Sequence, residues 1–251
     1  MTVIIALLAA IALIDGANAA PTAEECEVPL SFLTSDNDLT HVTNEIRDHH
    51  RLDISVIGSG SSSLPGPDGA QFAYPARLEE ALRQRLPGID VKVTPHVQLR
   101  ETTAQMAAGI EKILADDKPA LVIWQAGTAD ALKGVEPDDF RISLDEGFDR
   151  IDAAGANVIL VNMQYSPRTE SMLDVSTYAD IMRWAAQQHS ALLFDRLAIM
   201  RYWNDEGTFD LYAATKDYGM ARRVHNCIGR ALASQIINAA HLDPEKMQTT
   251  R

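Results

Sequence analysis

The 251-residue sequence has no lysine- or arginine-rich run and no apolar segment long enough to cross a bilayer. Its formal net charge is −13, so it would repel nucleic acid and anionic membrane surfaces, and we exclude both as partners. The unbroken apolar run Val3–Ile14 has twelve residues, fewer than the roughly 20 that a transmembrane helix needs. The chain is long enough for one domain with a sizeable core.

Cysteine is also scarce, and the patterns that usually hold metals or cofactors are missing. The two cysteines, Cys26 and Cys227, do not form a C-x-x-C, and no group of metal ligands has a useful spacing. The glycine-rich stretch Gly58–Ser63 reads GSGSSS and lacks the later glycine of a dinucleotide fingerprint. We therefore expect no metal and no cofactor.

The N-terminus has the pattern of a secretory signal peptide. The apolar run Val3–Ile14 is followed by small residues with an A-x-A site, which predicts cleavage after Ala19, although no lysine or arginine precedes the run. The mature protein would then be periplasmic or secreted, without a membrane span after processing. In that oxidising compartment we expect a Cys26–Cys227 disulfide, and the alternative is two buried free thiols.

After this segment, apolar strands alternate with amphipathic helices, which predicts a parallel sheet covered by helices on both faces. The predicted strands are 54–59, 91–97, 120–127, 157–165 and 191–195. The predicted helices are 74–88, 102–117, 138–154, 176–190 and 224–240. These elements give a three-layer α/β/α sandwich around a central five-stranded parallel sheet. The predicted domains are a signal peptide (1–19), an N-terminal arm (20–50), one α/β domain (51–242) and a C-terminal tail (243–251).

Three segments of the chain resemble the SGNH, or GDSL, hydrolases. They are VIGSGSSS after the first strand, VIWQAGTADAL through the third strand, and CIGRALASQI in the last helix. The resemblance extends over about residues 54–239. It implies a flavodoxin-like fold and an esterase or lipase that cleaves acyl esters, including acetyl groups on polysaccharides. It also implies a nucleophilic serine, an oxyanion hole, and a D-x-x-H pair that supplies the base.

The expected catalytic residues are not at the positions that this resemblance assigns to them. Gly60 stands where the nucleophile belongs, so Ser61 or Ser62 could attack only from a displaced turn. No glycine occurs between residues 88 and 109, where a second block should supply one to the oxyanion hole. Ala129 replaces the asparagine donor of the oxyanion hole. In the last block Asp217 is present, but the histidine position falls at Gly219 or Met220, and His225 lies eight residues after Asp217.

Three hypotheses about function follow. The first is an exported, catalytically degenerate protein that binds a glycan or an acylated polymer. Its binding residues would be Ser59, Gly60, His96, Ala129, Asp130, Tyr165 and Tyr202. The first alternative is an active serine esterase with a rebuilt site that uses Ser61, Ser62, Asp217 and His225. The second alternative is a non-catalytic assembly partner in envelope polysaccharide handling, which would bind an envelope protein.

Overall fold

The structure is a computed structural model that describes residues 24–213 and 217–243. The predicted signal peptide (1–19) lies outside the described residues, as does the predicted tail apart from Asp243. Among the helices that the structure describes, none has the length and apolar character needed to cross a membrane.

The centre of the fold is a five-stranded parallel sheet with the strand order β2-β1-β3-β4-β5. The strands are β1 (Arg51–Gly58), β2 (Asp90–Val97), β3 (Leu121–Gln125), β4 (Asn157–Val161) and β5 (Leu192–Phe194). All five residues of β3 are buried, as expected for a strand covered on both faces. The order is the flavodoxin-like one, in which ligands bind beyond the carboxyl ends of the strands.

Ten α-helices are described around this sheet. They are α1 (Thr40–His49), α2 (Gly69–Phe72), α3 (Tyr74–Arg85), α4 (Thr103–Asp117), α5 (Thr128–Lys133), α6 (Pro137–Ala153), α7 (Pro167–Glu170), α8 (Val175–Gln188), α9 (Arg196–Asp205) and α10 (Gly219–Ala239). Helices α3 and α10 pack together, and α4, α6 and α8 form a second packed group. The predicted three-layer α/β/α fold is confirmed.

The predicted N-terminal arm (20–50) is in large part built into this domain. Helix α1 buries Val42 and Ile46 against the core, and the side chain of Asn157 at the start of β4 accepts hydrogen bonds from the backbone N–H groups of His41 and Val42. These bonds satisfy two of the N–H groups that a helix start leaves free. Strand β4 therefore holds helix α1 in place, and the 51–242 domain boundary stays a prediction.

The last helix also begins earlier than the sequence predicted. Helix α10 starts at Gly219 and not near Val224, and the side chain of Asp217, two residues earlier, accepts a hydrogen bond from the N–H of Gly219 at 2.9 Å. His225 consequently lies in the second turn of the helix and not in the first. It is buried, with 7% of its surface exposed.

A disulfide joins the N-terminal segment to this helix. Cys26, in a short 3₁₀ turn (Glu24–Cys26), is bonded to Cys227 of α10, as predicted, and the two residues are 201 positions apart in the chain. Next to it, Arg223 forms an ion pair with Glu25 at 2.7 Å. The bridge therefore fixes the entry of the chain into the domain against its last helix.

Candidate active site

The turn after β1 occupies the place of the nucleophile. Gly58 ends the strand and must be glycine, because a Cβ there would lie 2.4 Å from Ser62 Oγ. Residues Gly60–Ser62 then form one 3₁₀ turn. The backbone of Gly60 is not in the left-handed region. A Cβ on this residue would meet only Leu99 Cδ2, at 3.2 Å. Because Leu99 is a flexible and mostly exposed side chain, the turn has room for a serine at this position.

Two of the serines in this turn are buried and hydrogen-bonded to the fold. Ser59 donates to Gln125 Oε1 from its backbone N–H at 3.1 Å and from its hydroxyl at 3.2 Å. The Ser62 hydroxyl lies 3.1 Å from the same oxygen and 2.9 Å from the hydroxyl of Tyr74. Gln125, the last residue of β3, thus holds the turn in place. Neither serine hydroxyl faces solvent.

The third serine is bound by a buried arginine. Arg196, the first residue of α9, donates to the carbonyl oxygen of Ser61 at 3.1 Å and to its hydroxyl at 3.2 Å. The side chain of Arg196 is fully buried, and burial lowers its pKa to about 10, so the guanidinium remains charged near neutral pH. Its Nε has no hydrogen-bond partner among the described residues.

His225 is in a state that does not suit a general base. Its Nδ1 accepts a hydrogen bond from the backbone N–H of Tyr74 at 3.0 Å, so the proton of the neutral ring is on Nε2. Burial, together with the nearby charge of Arg196, lowers the pKa of His225 to about 3. A base that activates serine needs a free lone pair on Nε2 and an acidic partner at Nδ1–H.

The structure does not connect the four candidate residues of the rebuilt site. Within residues 24–213 and 217–243, no hydrogen bond joins His225 to Ser61, Ser62 or Asp217. Asp217 is exposed just before α10, where its carboxylate accepts a hydrogen bond from the N–H of Gly219. The geometry therefore brings Ser61 and Ser62 to the expected turn but gives each of them, and His225, a different partner.

The third block after β3 has a structural carboxylate where the sequence predicted a binding residue. Asp130 is buried and accepts from the backbone N–H of Thr103 at 3.0 Å and from its hydroxyl at 2.8 Å, at the start of α4. Ala129 is buried and offers no side-chain donor. Beside it, Thr128 Oγ1 is buried and lacks a hydrogen-bond partner in the described part of the chain.

The remaining predicted binding residues also have partners within the protein. His96 Nε2 lies 2.6 Å from Asp117 Oδ2, which also accepts from the Ser55 hydroxyl at 2.7 Å. Burial alone would raise the pKa of Asp117, but the bonds from His96 and Ser55 outweigh it and lower that pKa.

The two predicted binding residues that are aromatic, Tyr165 and Tyr202, also contact other side chains of the protein. The guanidinium of Arg201 lies over the ring of Tyr165, 5.3 Å from its centroid. The ring of Tyr202 packs against Phe32 with centroids 5.9 Å apart. These contacts cover part of the ring surface of two residues that the sequence predicted to bind a ligand.

Sequence reasoning missed four residues that shape this edge: Tyr74, Leu99, Gln125 and Arg196. Gln125 had a usable signal, since it is a polar residue within a continuous apolar strand. Arg196 had a weaker signal, its position directly after the last strand, where side chains enter the site edge of a parallel sheet.

The comparisons with known proteins identify the family of the chain. A model of the Non-GDSL lipase-like family matches residues 25–242. Esterase TesA of Pseudomonas aeruginosa is 31% identical over 114 residues, which are 45% of this chain and 55% of that esterase, so the match spans about half the length of this curated relative.

Solved structures share the fold. The crystal structure of TesA aligns with a TM-score of 0.51 and 26% identity over 56% of this chain and 76% of that chain. A catalytic mutant of an acetylxylan esterase from Geobacillus stearothermophilus aligns with a TM-score of 0.59 and 16% identity over 77% of this chain and 95% of that chain. Since the family model covers most of the sequence, the chain belongs to the Non-GDSL lipase-like family of SGNH/GDSL hydrolases.

Proposed function

We propose that this protein is an exported member of the family whose catalytic site no longer hydrolyses esters efficiently and instead binds a glycan or an acylated polymer. The observation that carries the proposal is Gly60, which leaves the nucleophile position of a correctly formed turn without a side chain. Removing a single oxyanion donor already costs about a hundred- to a thousandfold in rate, and here the nucleophile itself is missing.

The hydrogen bonds around Gly60 weigh against the active esterase as an alternative. Ser62 is bound between Tyr74 and Gln125, and Ser61 faces a cation that donates hydrogen bonds to it. His225 presents a protonated Nε2 to its surroundings, and an N–H cannot remove a proton from serine. Activating either serine would require breaking several buried hydrogen bonds at once.

The fold is shared with an acetylxylan esterase, which supports the choice of an acetylated saccharide as the class of ligand.

Hydrolysis is expected to be very slow. With short-chain aryl esters or acetylated xylo-oligosaccharides, we expect a turnover number below about 1 s⁻¹, the low end of the usual enzyme range. Ser61→Ala and Ser62→Ala should leave the residual rate unchanged, as measured by release of the aryl alcohol or of acetate. A higher rate that falls sharply in either variant would overturn the proposal in favour of the rebuilt esterase. Hydrolysis gained in a Gly60→Ser, Ala129→Asn, Gly219→His triple variant would support it.

Binding is expected at the edge beside Gly60. Calorimetry with acetylated oligosaccharides should give weak saturable binding, and Gly60→Leu should abolish it because the larger side chain fills the space next to Leu99. Gly109→Leu is the matched control, since a Cβ on this exposed glycine of α4 meets nothing within 4 Å. If neither protein binds any saccharide on an array and a stable complex with an envelope protein is recovered, the assembly role replaces the binding role.

A further inference from the structure

A groove between α3 and α10 carries an arginine cluster that is separate from the candidate active site. Its volume is about 460 Å³, and Arg77 and Arg85 of α3 and Arg230 of α10 line it. Asn226 and Ser234, also on α10, contribute neutral polar groups. None of the residues assigned to the active-site edge lines this groove.

Two of the three arginines lack a carboxylate partner. Arg77 is paired with Glu80 at 2.8 Å. Arg85 instead donates to the Ser234 hydroxyl at 2.8 Å, and burial, together with the charge of Arg230, lowers its pKa. The guanidinium of Arg230 makes no hydrogen bond or ion pair within residues 24–213 and 217–243. Glu80 also lines the groove, but its carboxylate is paired with Arg77, so two like charges remain there without a counter-ion among the described residues.

An oxyanion placed between these two groups would remove their mutual repulsion. Guanidinium groups bind phosphate and carboxylate through two parallel hydrogen bonds, and such charge-assisted bonds are about twice as strong as neutral ones. Two cations without counter-ions match a dianion better than a monoanion. The volume is within the ~300–1,000 Å³ range of small-molecule sites, so it has room for more than a single ion.

We propose that the groove between α3 and α10 binds the phosphate group of a small phosphorylated ligand through Arg85 and Arg230. Asn226 and Ser234 are placed on the same helix to contact the remainder of that ligand. This groove is separate from the proposed saccharide site beside Gly60. The outcome of its test therefore leaves the proposed function untouched.

The test is isothermal titration of the full chain with inorganic phosphate at low ionic strength, where charge interactions are least screened. We expect one saturable site that Arg230→Gln weakens at least about tenfold, since the bonds it loses are charge-assisted. Arg230→Lys keeps the charge but not the planar guanidinium, so its affinity for phosphate should lie between those of wild type and Arg230→Gln. Arg230 has no side-chain partner that the fold requires, so both variants should keep the wild-type melting temperature.

Arg47→Gln is the matched control, because Arg47 is an exposed arginine on α1 that is paired with Asp48 and should not affect phosphate binding. Glycerol 3-phosphate that binds more tightly than phosphate would support a phosphorylated ligand, whereas equal affinities would support the free ion as the ligand that this chemistry selects. Absence of saturable phosphate binding, or equal affinity in wild type, Arg230→Gln and Arg85→Gln, would overturn the proposal.

Discussion

Replacing Cys26 and Cys227 together by serine is expected to lower the free energy of unfolding by about 5 kcal/mol in the chain-entropy model of disulfides. The effect is large because the bridge joins residues 201 positions apart, so the unfolded chain gains much freedom when it is removed. Denaturant titration of the oxidised protein and of the double variant measures the difference. The variant should also show a steeper dependence on denaturant, since its unfolded chain exposes more surface.

The local ion pair provides the control for this experiment. Arg223→Gln removes the Arg223–Glu25 contact next to the bridge but keeps the covalent link, and partly exposed pairs of this kind contribute about 0–1 kcal/mol. Wild type treated with a reductant should match the double variant. A loss below about 1 kcal/mol in the double variant, or two free thiols found in the native protein by mass analysis, would contradict the assigned role of the bridge.

The sheet could be predicted from the sequence because its strands are buried on both faces. Apolar runs such as 120–127 and 157–165 that alternate with amphipathic helices are typical of buried parallel strands. Strands β3 and β4 lie within those runs. Helix α1 was missed since it buries few residues, and the polar face that dominates its sequence resembles a linker. Its position depends on Asn157, which is over 100 residues away in the chain.

The sequence predicts where the candidate site lies, but not the hydrogen bonds that its residues make. The place of Gly60 after β1 follows from the position of the strand end, and the structure shows an ordinary backbone there. The states of Ser61, Ser62 and His225 depend instead on partners supplied by α3, β3 and α9. A hydrogen bond between distant segments leaves no pattern in one sequence, so nothing in the sequence indicated that Nδ1 of His225 is already occupied.

The stability of the protein is expected to fall on acidification because of His225. Its pKa is about 3 in the folded protein, against 6.5 for an unperturbed histidine, since the site is buried and close to Arg196. Between pH 6.5 and about pH 3, this residue is protonated in the unfolded chain but neutral in the folded protein. The stability present above pH 6.5 is therefore lost as the pH falls towards 3, at up to about 1.4 kcal/mol per pH unit.

His225→Asn tests this expectation, because an asparagine side chain can offer an oxygen near the place of Nδ1 to the N–H of Tyr74 without binding a proton. We expect the variant to be less stable than wild type at pH 7, since it leaves a small cavity, but to lose about 2 kcal/mol less between pH 6 and pH 4. Carboxylates titrate in both proteins, so the difference between the two curves isolates His225. Parallel curves for wild type and His225→Asn would mean that the pKa of His225 is the same in the folded and the unfolded protein, which would contradict the effect of its burial beside Arg196.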